Sequence, residues 1–146
     1  MNAAATPKPL PVVQPWARPF WDATREGRLV LQYCPSCRVH VHYPRIACPH
    51  CGGDGMEWRR ATGRGTLYSY TVVVNNAPSA FVADMPYVVA IVHLEEGVRM
   101  LSNVVGCDPA GLRCDMAVEV VFERLNDEFT LPKFRPLAGA GTSGRG

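Results

Sequence analysis

Residues 33–53 read YCPSCRVHVHYPRIACPHCGG, and the reading of the whole chain starts from them. Cys34 and Cys37 form one CxxC pair, Cys48 and Cys51 form a second, and ten residues separate the pairs. A CxxC turn can aim two thiolates at one point, and a second turn supplies the other two corners of a tetrahedron. Thiolates select soft or borderline metals, so one zinc ion is the first choice and a single iron the second. Four protein sulfurs leave no open coordination position, which makes this metal structural rather than a Lewis acid. Its binding free energy becomes folding free energy for a segment too small to bury its own core. His40, His42 and His50 are possible substitute ligands, but each reads more readily as a solvated loop histidine, and the His50 ring, between Cys48 and Cys51, would compete poorly with the paired thiols.

Working outward, Trp16 to Glu26 has the marks of a short helix. Pro19 suits its first turn and Gly27 its C-terminal cap. Phe20, Trp21 and Thr24 fall on one side, and adjacent large aromatics need a surface to cover, either the domain's own core or another protein. Phe20, Trp21 and Tyr43, taken as exposed, are therefore candidate partner anchors. Arg28 to Tyr33 alternates with Leu29, Leu31 and Tyr33 on one face, a strand leading into the first CxxC. Gly52, Gly53 and Gly55 permit a tight turn after the second, and Met56 to Ala61 returns as another strand. Residues 28–61 thus read as a small sheet closed by metal.

From Gly65 the pattern changes. Gly65–Val74, Pro86–Leu94, Val98–Val105 and Met116–Glu123 read as strands, with Glu96-Gly97 turning the second into the third. Phe129–Phe134 contains Pro132 and is assigned to a sheet edge. Asn75–Met85 and Gly106–Asp115 read as loops, and adjacent Glu95 and Glu96 as pointing to opposite sides. Five short strands without a long helix favour a small Greek-key barrel: an OB-fold, with an SH3-like barrel close behind. The fold class is therefore mainly β: an N-terminal helix and four-cysteine rubredoxin-like zinc ribbon followed by a five-stranded OB-fold barrel. The expected division is a flexible arm at 1–15, helix plus ribbon at 16–62, barrel at 63–136 and a disordered Gly-rich tail at 137–146.

Composition narrows the function classes. The 146 residues are 47% hydrophobic, normal for a globular chain. No apolar run approaches the ~20 residues that span a bilayer. MNAAATPKPLPVV lacks the apolar core of a signal peptide, so a cytoplasmic location with reduced cysteines is expected. Residues 1–64 carry nine Lys/Arg against four Asp/Glu, and residues 65–146 carry six against nine. A phosphate-bearing partner would thus meet the first half, with Arg38, Arg45, Arg59, Arg60 and Arg64 available. OB-folds also bind single-stranded nucleic acid, and Tyr68, Tyr70 and Phe81 could stack bases. The acidic barrel half argues against that, and nucleic acid remains the alternative partner. No nucleophile elbow, P-loop or dinucleotide fingerprint is present. Cys107, Cys114 and His93 read as structural, so no catalytic residue is assigned and the chain is not read as an enzyme by itself.

The ordered motifs FWDATREGRLVLQYC, YPRIACPHCGG, GRGTLYSYTVV, PYVVAIVHLEEGVRM, MAVEVVFE and LPKFRP resemble the zinc-ribbon plus OB-fold acyl-CoA-associated proteins across residues 16–136. One departure is that Cys114-Asp115-Met116 stands where that family places a glycine before the strand's first hydrophobic residue. The resemblance implies a non-catalytic accessory subunit of a thiolase-superfamily complex: a thiolase (benzoylsuccinyl-CoA thiolase small subunits are one example), an acyltransferase or an aldolase. It implies a hetero-oligomer, two plus two, with a thiolase-like large subunit, or else a hot-dog-fold enoyl-CoA hydratase as partner. It also implies stabilisation of the large subunit and contact with a CoA thioester, for which Phe81, Arg45 and Arg64 are the candidates.

Overall fold

A computed structural model describes residues 6–137; the first five residues of the expected arm and the tail from 138 lie outside the described residues. After a single 3-10 turn at Pro15–Ala17, helix α1 spans Arg18–Arg25, with Pro19 in its first turn. Phe20, Ala23 and Thr24 are its buried residues. Gly27 follows at φ +74°, the left-handed conformation that ends a helix without steric cost.

Three strands form the first sheet: β1 (Val30–Cys34), β2 (Val39–Val41) and β3 (Glu57–Arg60), in the order β2-β1-β3. The three-residue β2 is not among the strands expected from the sequence, because Val39-His40-Val41 is too short to show a period. β1 also departs from the one-faced alternation expected of it: Val30, Leu31, Gln32 and Cys34 are all buried. Its second face is covered because Gln32 holds the inter-knuckle loop. The Gln32 amide donates to the Arg45 carbonyl (2.9 Å) and accepts from the Arg45 N–H (2.7 Å), much as a further strand would.

The remaining strands are β4 (Arg64–Val73), β5 (Tyr87–Leu94), β6 (Arg99–Val104), β7 (Ala117–Arg124) and β8 (Thr130–Pro136). They close into a barrel in the order β4-β5-β6-β8-β7. β5 alternates strictly, with Val88, Ala90, Val92 and Leu94 pointing inward. β8 is not a free edge. It pairs with β7 along its length and closes the barrel against β6 through one parallel register pair, Val104↔Phe134. Beside Pro132 the β6–β8 seam is bridged by a side chain, the Ser102 hydroxyl donating to the Pro132 carbonyl at 2.7 Å.

Two backbone positions explain local sequence. A Cβ on Gly65 would stand 2.4 Å from the His93 carbonyl oxygen, so β4 and β5 approach there only because residue 65 has no side chain. Asp115, in the place where the resembling family carries glycine, adopts φ +71°. It takes the left-handed conformation that asparagine and aspartate tolerate best after glycine. Glu95 and Glu96 correct an expectation. Strand alternation stops at Leu94, and in the turn both carboxylates reach Thr62, Glu95 accepting from its hydroxyl and Glu96 from its N–H. The barrel thereby grips the linker that follows the first sheet.

Phe20, Leu29 and Leu31 belong to the same buried apolar cluster as Leu67, Val92, Val118 and Phe134. The ribbon half and the barrel therefore share one core. Trp21 extends it, with edge-on contacts to Phe20 at 5.2 Å and Phe129 at 5.5 Å.

Candidate functional site

Both CxxC turns are built alike. Arg38 N–H bonds the Cys34 carbonyl and Gly52 N–H bonds the Cys48 carbonyl. The residue after each second cysteine takes positive φ: Arg38 at +57° and Gly52 at +77°. The first turn thus reaches, without glycine, the conformation the second reaches with it. Backbone N–H groups of Cys37, His50 and Gly53 point at the sulfurs of Cys34, Cys48 and Cys51, each at 3.4 Å.

The four sulfurs all lie within 4.8 Å of one another. Cys34 and Cys51 sulfurs are 3.7 Å apart, and those of Cys37 and Cys48 are 3.9 Å apart. A tetrahedron with Zn–S bonds of ~2.3 Å has sulfur–sulfur edges of ~3.8 Å, so these residues fit a zinc ion. The cluster contains the four cysteines and no histidine. Protons compete for the same sulfurs. The Cys51 side chain chiefly pushes the Cys37 thiol up to about 12, while backbone N–H donation, first from Cys51, pulls Cys48 down to about 6. Zinc holds such a set deprotonated together when bound, and its affinity falls as pH drops.

A second feature lies where ribbon, helix and barrel meet. The loop His42–Pro44 after β2, the helix residues Phe20 and Trp21, and the facing stretches Met100–Asn103 and Leu131–Lys133 of β6 and β8 enclose a cleft of about 390 Å³. Its lining is mostly apolar. The His42 imidazole stands between the Phe20 ring at 5.7 Å and the Tyr43 ring at 4.0 Å. Its Nε2 is buried without a hydrogen-bond partner. Burial pulls the imidazole down from 6.5 to about 4. Between those values the unfolded chain holds a proton that the folded chain does not, so stability falls as pH drops through the window and levels off below about 4. The loss is on the order of 3 kcal/mol. Urea unfolding of wild type and His42→Phe from pH 7 to 4 should show a steeper loss in wild type; parallel profiles would remove His42 as the cause.

The other candidates separate. Phe20 is only 6% exposed and faces the core, so the expected exposed anchor is instead a core residue: α1 lies on both β1 and β8. Trp21 is half-buried at the cleft, and Tyr43 is 49% exposed, its hydroxyl accepting from the Leu101 N–H. Leu101, 58% exposed, extends that apolar surface and was not signalled by sequence, being 58 residues away from Tyr43. Arg45 is exposed on the inter-knuckle loop and Arg64 is exposed at the start of β4. Phe81 lies in a 3-10 segment, Ser79–Asp84, inside the expected 75–85 loop. It packs on Tyr87 with Lys8 over its ring, and Lys8 also pairs with Asp84 at 2.6 Å. Tyr87 pairs with Val73 while Gly65 pairs with Leu94, so Arg64 and Phe81 mark opposite ends of the β4–β5 ribbon. Of the possible base-stacking rings, Tyr68 is covered by the Arg99 guanidinium at 3.9 Å and Tyr70 is tied to the Leu112 carbonyl. Cys107 is half-buried, its thiol pushed up by burial and Asp108, and Cys114 is exposed. Among the described residues no helix is long and apolar enough to cross a membrane.

A four-thiolate ribbon joined to a closed five-stranded barrel defines a two-part zinc-ribbon and OB-fold protein. Residues 21–57 match the model for the "ChsH2, rubredoxin-like zinc ribbon domain", and residues 58–123 match that for the "ChsH2, C-terminal OB-fold domain". The chain belongs to this family, the DUF35 proteins. It is 34% identical over 126 residues to a DUF35 domain-containing scaffold protein of Pyrococcus furiosus, covering 81% of this chain and 90% of the relative. It is 42% identical over 118 residues to a probable enoyl-CoA hydratase alpha subunit of Thermomonospora curvata, covering 80% of this chain but only 36% of that longer relative. Among solved structures, a chain of an "Ltp2-ChsH2(DUF35) aldolase" superposes with a TM-score of 0.79 at 38% identity, covering 87% of this chain and 98% of the other.

Proposed function

We propose that this protein is a non-catalytic accessory subunit that docks on a larger thiolase-superfamily enzyme acting on acyl-CoA and stabilises it. The observation that carries the reading is the likeness, across 98% of its length, to the DUF35 chain of an aldolase assembly. The metal site agrees, because four sulfur ligands leave the ion no open position for substrate. The apolar surface of Trp21, Tyr43 and Leu101 supplies aromatic and aliphatic anchors of the kind that dominate interfaces. Contact with CoA would be shared with the partner, since Arg64 and Phe81 stand at opposite ends of one ribbon. The hydratase-type relative makes a hydratase the second partner class.

The test is affinity purification of the full chain from its native cells, with identification of stoichiometric partners and metal analysis of the same material. A thiolase-fold enzyme at a fixed ratio supports the reading. Nucleic acid in place of an enzyme overturns it. Trp21→Ala should weaken partner binding by about 2 kcal/mol, roughly thirtyfold, the effect of truncating an interface anchor. Zinc content should stay unchanged, and equal partner affinity removes Trp21 from the interface.

A further inference from the structure

We propose that the cleft between α1, the His42–Pro44 loop and the β6–β8 seam binds a small, neutral, ring-bearing alcohol, with His42 Nε2 as its hydrogen-bonding group and Tyr43 as a movable cover. Two independent observations meet there. The cleft, at about 390 Å³, lies within the range of small-molecule sites, ~300–1,000 Å³. Beside it stands a buried polar atom with no partner, a condition native structures seldom leave unexplained. Neighbouring buried polar groups are paired: Thr24 donates to the Trp21 carbonyl, and Gln32 uses both ends of its amide.

The chemistry of the walls selects the ligand. A hydroxyl both donates and accepts, so it pairs with Nε2 whichever tautomer the imidazole holds. A carboxylate would bring a charge among apolar side chains, and Lys133 in the lining is already paired with Glu123 at 3.0 Å. Phe20 and Trp21 line the cleft with aromatic rings that stay when Tyr43 swings out, which favours an aromatic body for the ligand.

Access requires Tyr43 to move, since Nε2 has no exposed surface in the closed arrangement. Tyr43 stacks on the imidazole at 4.0 Å with a 38° tilt, yet is half exposed itself. Swinging outward sacrifices its hydrogen bond from Leu101 at the surface. That bond is exposed, so water replaces it.

The probes are 2-naphthol, naphthalene and 2-naphthoate, titrated calorimetrically into the full-length chain without any partner. 2-Naphthol should saturate one site per chain about tenfold more tightly than naphthalene, the effect of satisfying one buried polar group. 2-Naphthoate should bind more weakly than 2-naphthol. Tyr43→Ala should tighten 2-naphthol binding, and His42→Phe should reduce it to the naphthalene level. In nitrogen-detected NMR of wild type, His42 Nε2 should shift with 2-naphthol and not with naphthalene. Equal affinities for the two ring compounds, no saturable binding, or an unmoved Nε2 resonance overturns the proposal, and these wild-type comparisons do not depend on any variant folding. Because no partner is present, the result is independent of whether the accessory-subunit reading holds.

Discussion

Cys37→Ser should release the metal and unfold the ribbon. The first sheet is made of strands of three to five residues, at the short end of the usual range. The loop between the two CxxC turns carries Ile46 and Tyr43 outward, at 67% and 49% exposure, so it buries little of its own apolar surface. What organises residues 34–53 is the convergence of four sulfurs, and structural zinc sites of this kind contribute ~10–16 kcal/mol to folding at neutral pH. Serine is a poor ligand for zinc and leaves three thiolates with a gap. Metal analysis should fall from about one zinc per chain to a small fraction, and limited proteolysis should cut between β2 and β3. A strong chelator applied to wild type should produce the same cleavage pattern. A Cys37→Ser protein that keeps its zinc and resists cleavage would sink the assignment of the metal as the organiser. Because Leu29 and Leu31 sit in the barrel's core cluster, the damage should reach the barrel as a lowered unfolding midpoint.

The parts of this molecule legible from sequence are those governed by short-range rules. CxxC spacing specifies a tetrahedron locally, and the alternation of Val88, Ala90, Val92 and Leu94 specifies an inward face locally. Gly27 and Gly97 mark turns because only their own φ matters. Apart from β2, too short to show a period, the misreadings involve a distant partner. Phe20 looked exposed because a short helix with two aromatics does not reveal that it bridges ribbon and barrel. Glu95 and Glu96 looked divergent because strand geometry was extended one turn too far, past the point where Thr62 attracts both. Pro132 looked like an edge because closure through Val104↔Phe134 is a single parallel pair that leaves no periodic trace. The cleft was invisible for the same reason: His42, Trp21 and Leu131 share no spacing, and only the docking of three elements gathers them. The metal residues are one local motif, whereas the residues put forward for CoA fall at separate places on the surface.

Phe134→Ala should cost about 3–5 kcal/mol, the usual penalty for emptying a fully buried phenylalanine site. The side chain has no exposed surface and is the largest of the fully buried ones. Its position raises the expected effect toward the upper end. Phe134 is the residue through which β8 meets both neighbours: it pairs with Val120 on β7 and with Val104 on β6, and its carbonyl accepts the Val105 N–H at 2.8 Å. The cavity therefore opens at the one backbone seam that closes the barrel, where little else can collapse inward to fill it. A domain of this size has about 5–15 kcal/mol of stability in total, so the variant should lose a large part of its urea midpoint with an unchanged slope. Phe20, Leu29 and Leu31 share the same cluster, so tryptophan fluorescence, which includes Trp21 and Trp58 from the ribbon half, should shift together with the far-ultraviolet signal of the strands. Separate midpoints for the two probes would show that ribbon and barrel unfold independently and that the shared core does not couple them. Coincident midpoints, both lowered, would place Phe134 at the centre of a single cooperative unit held at one end by metal and at the other by barrel closure.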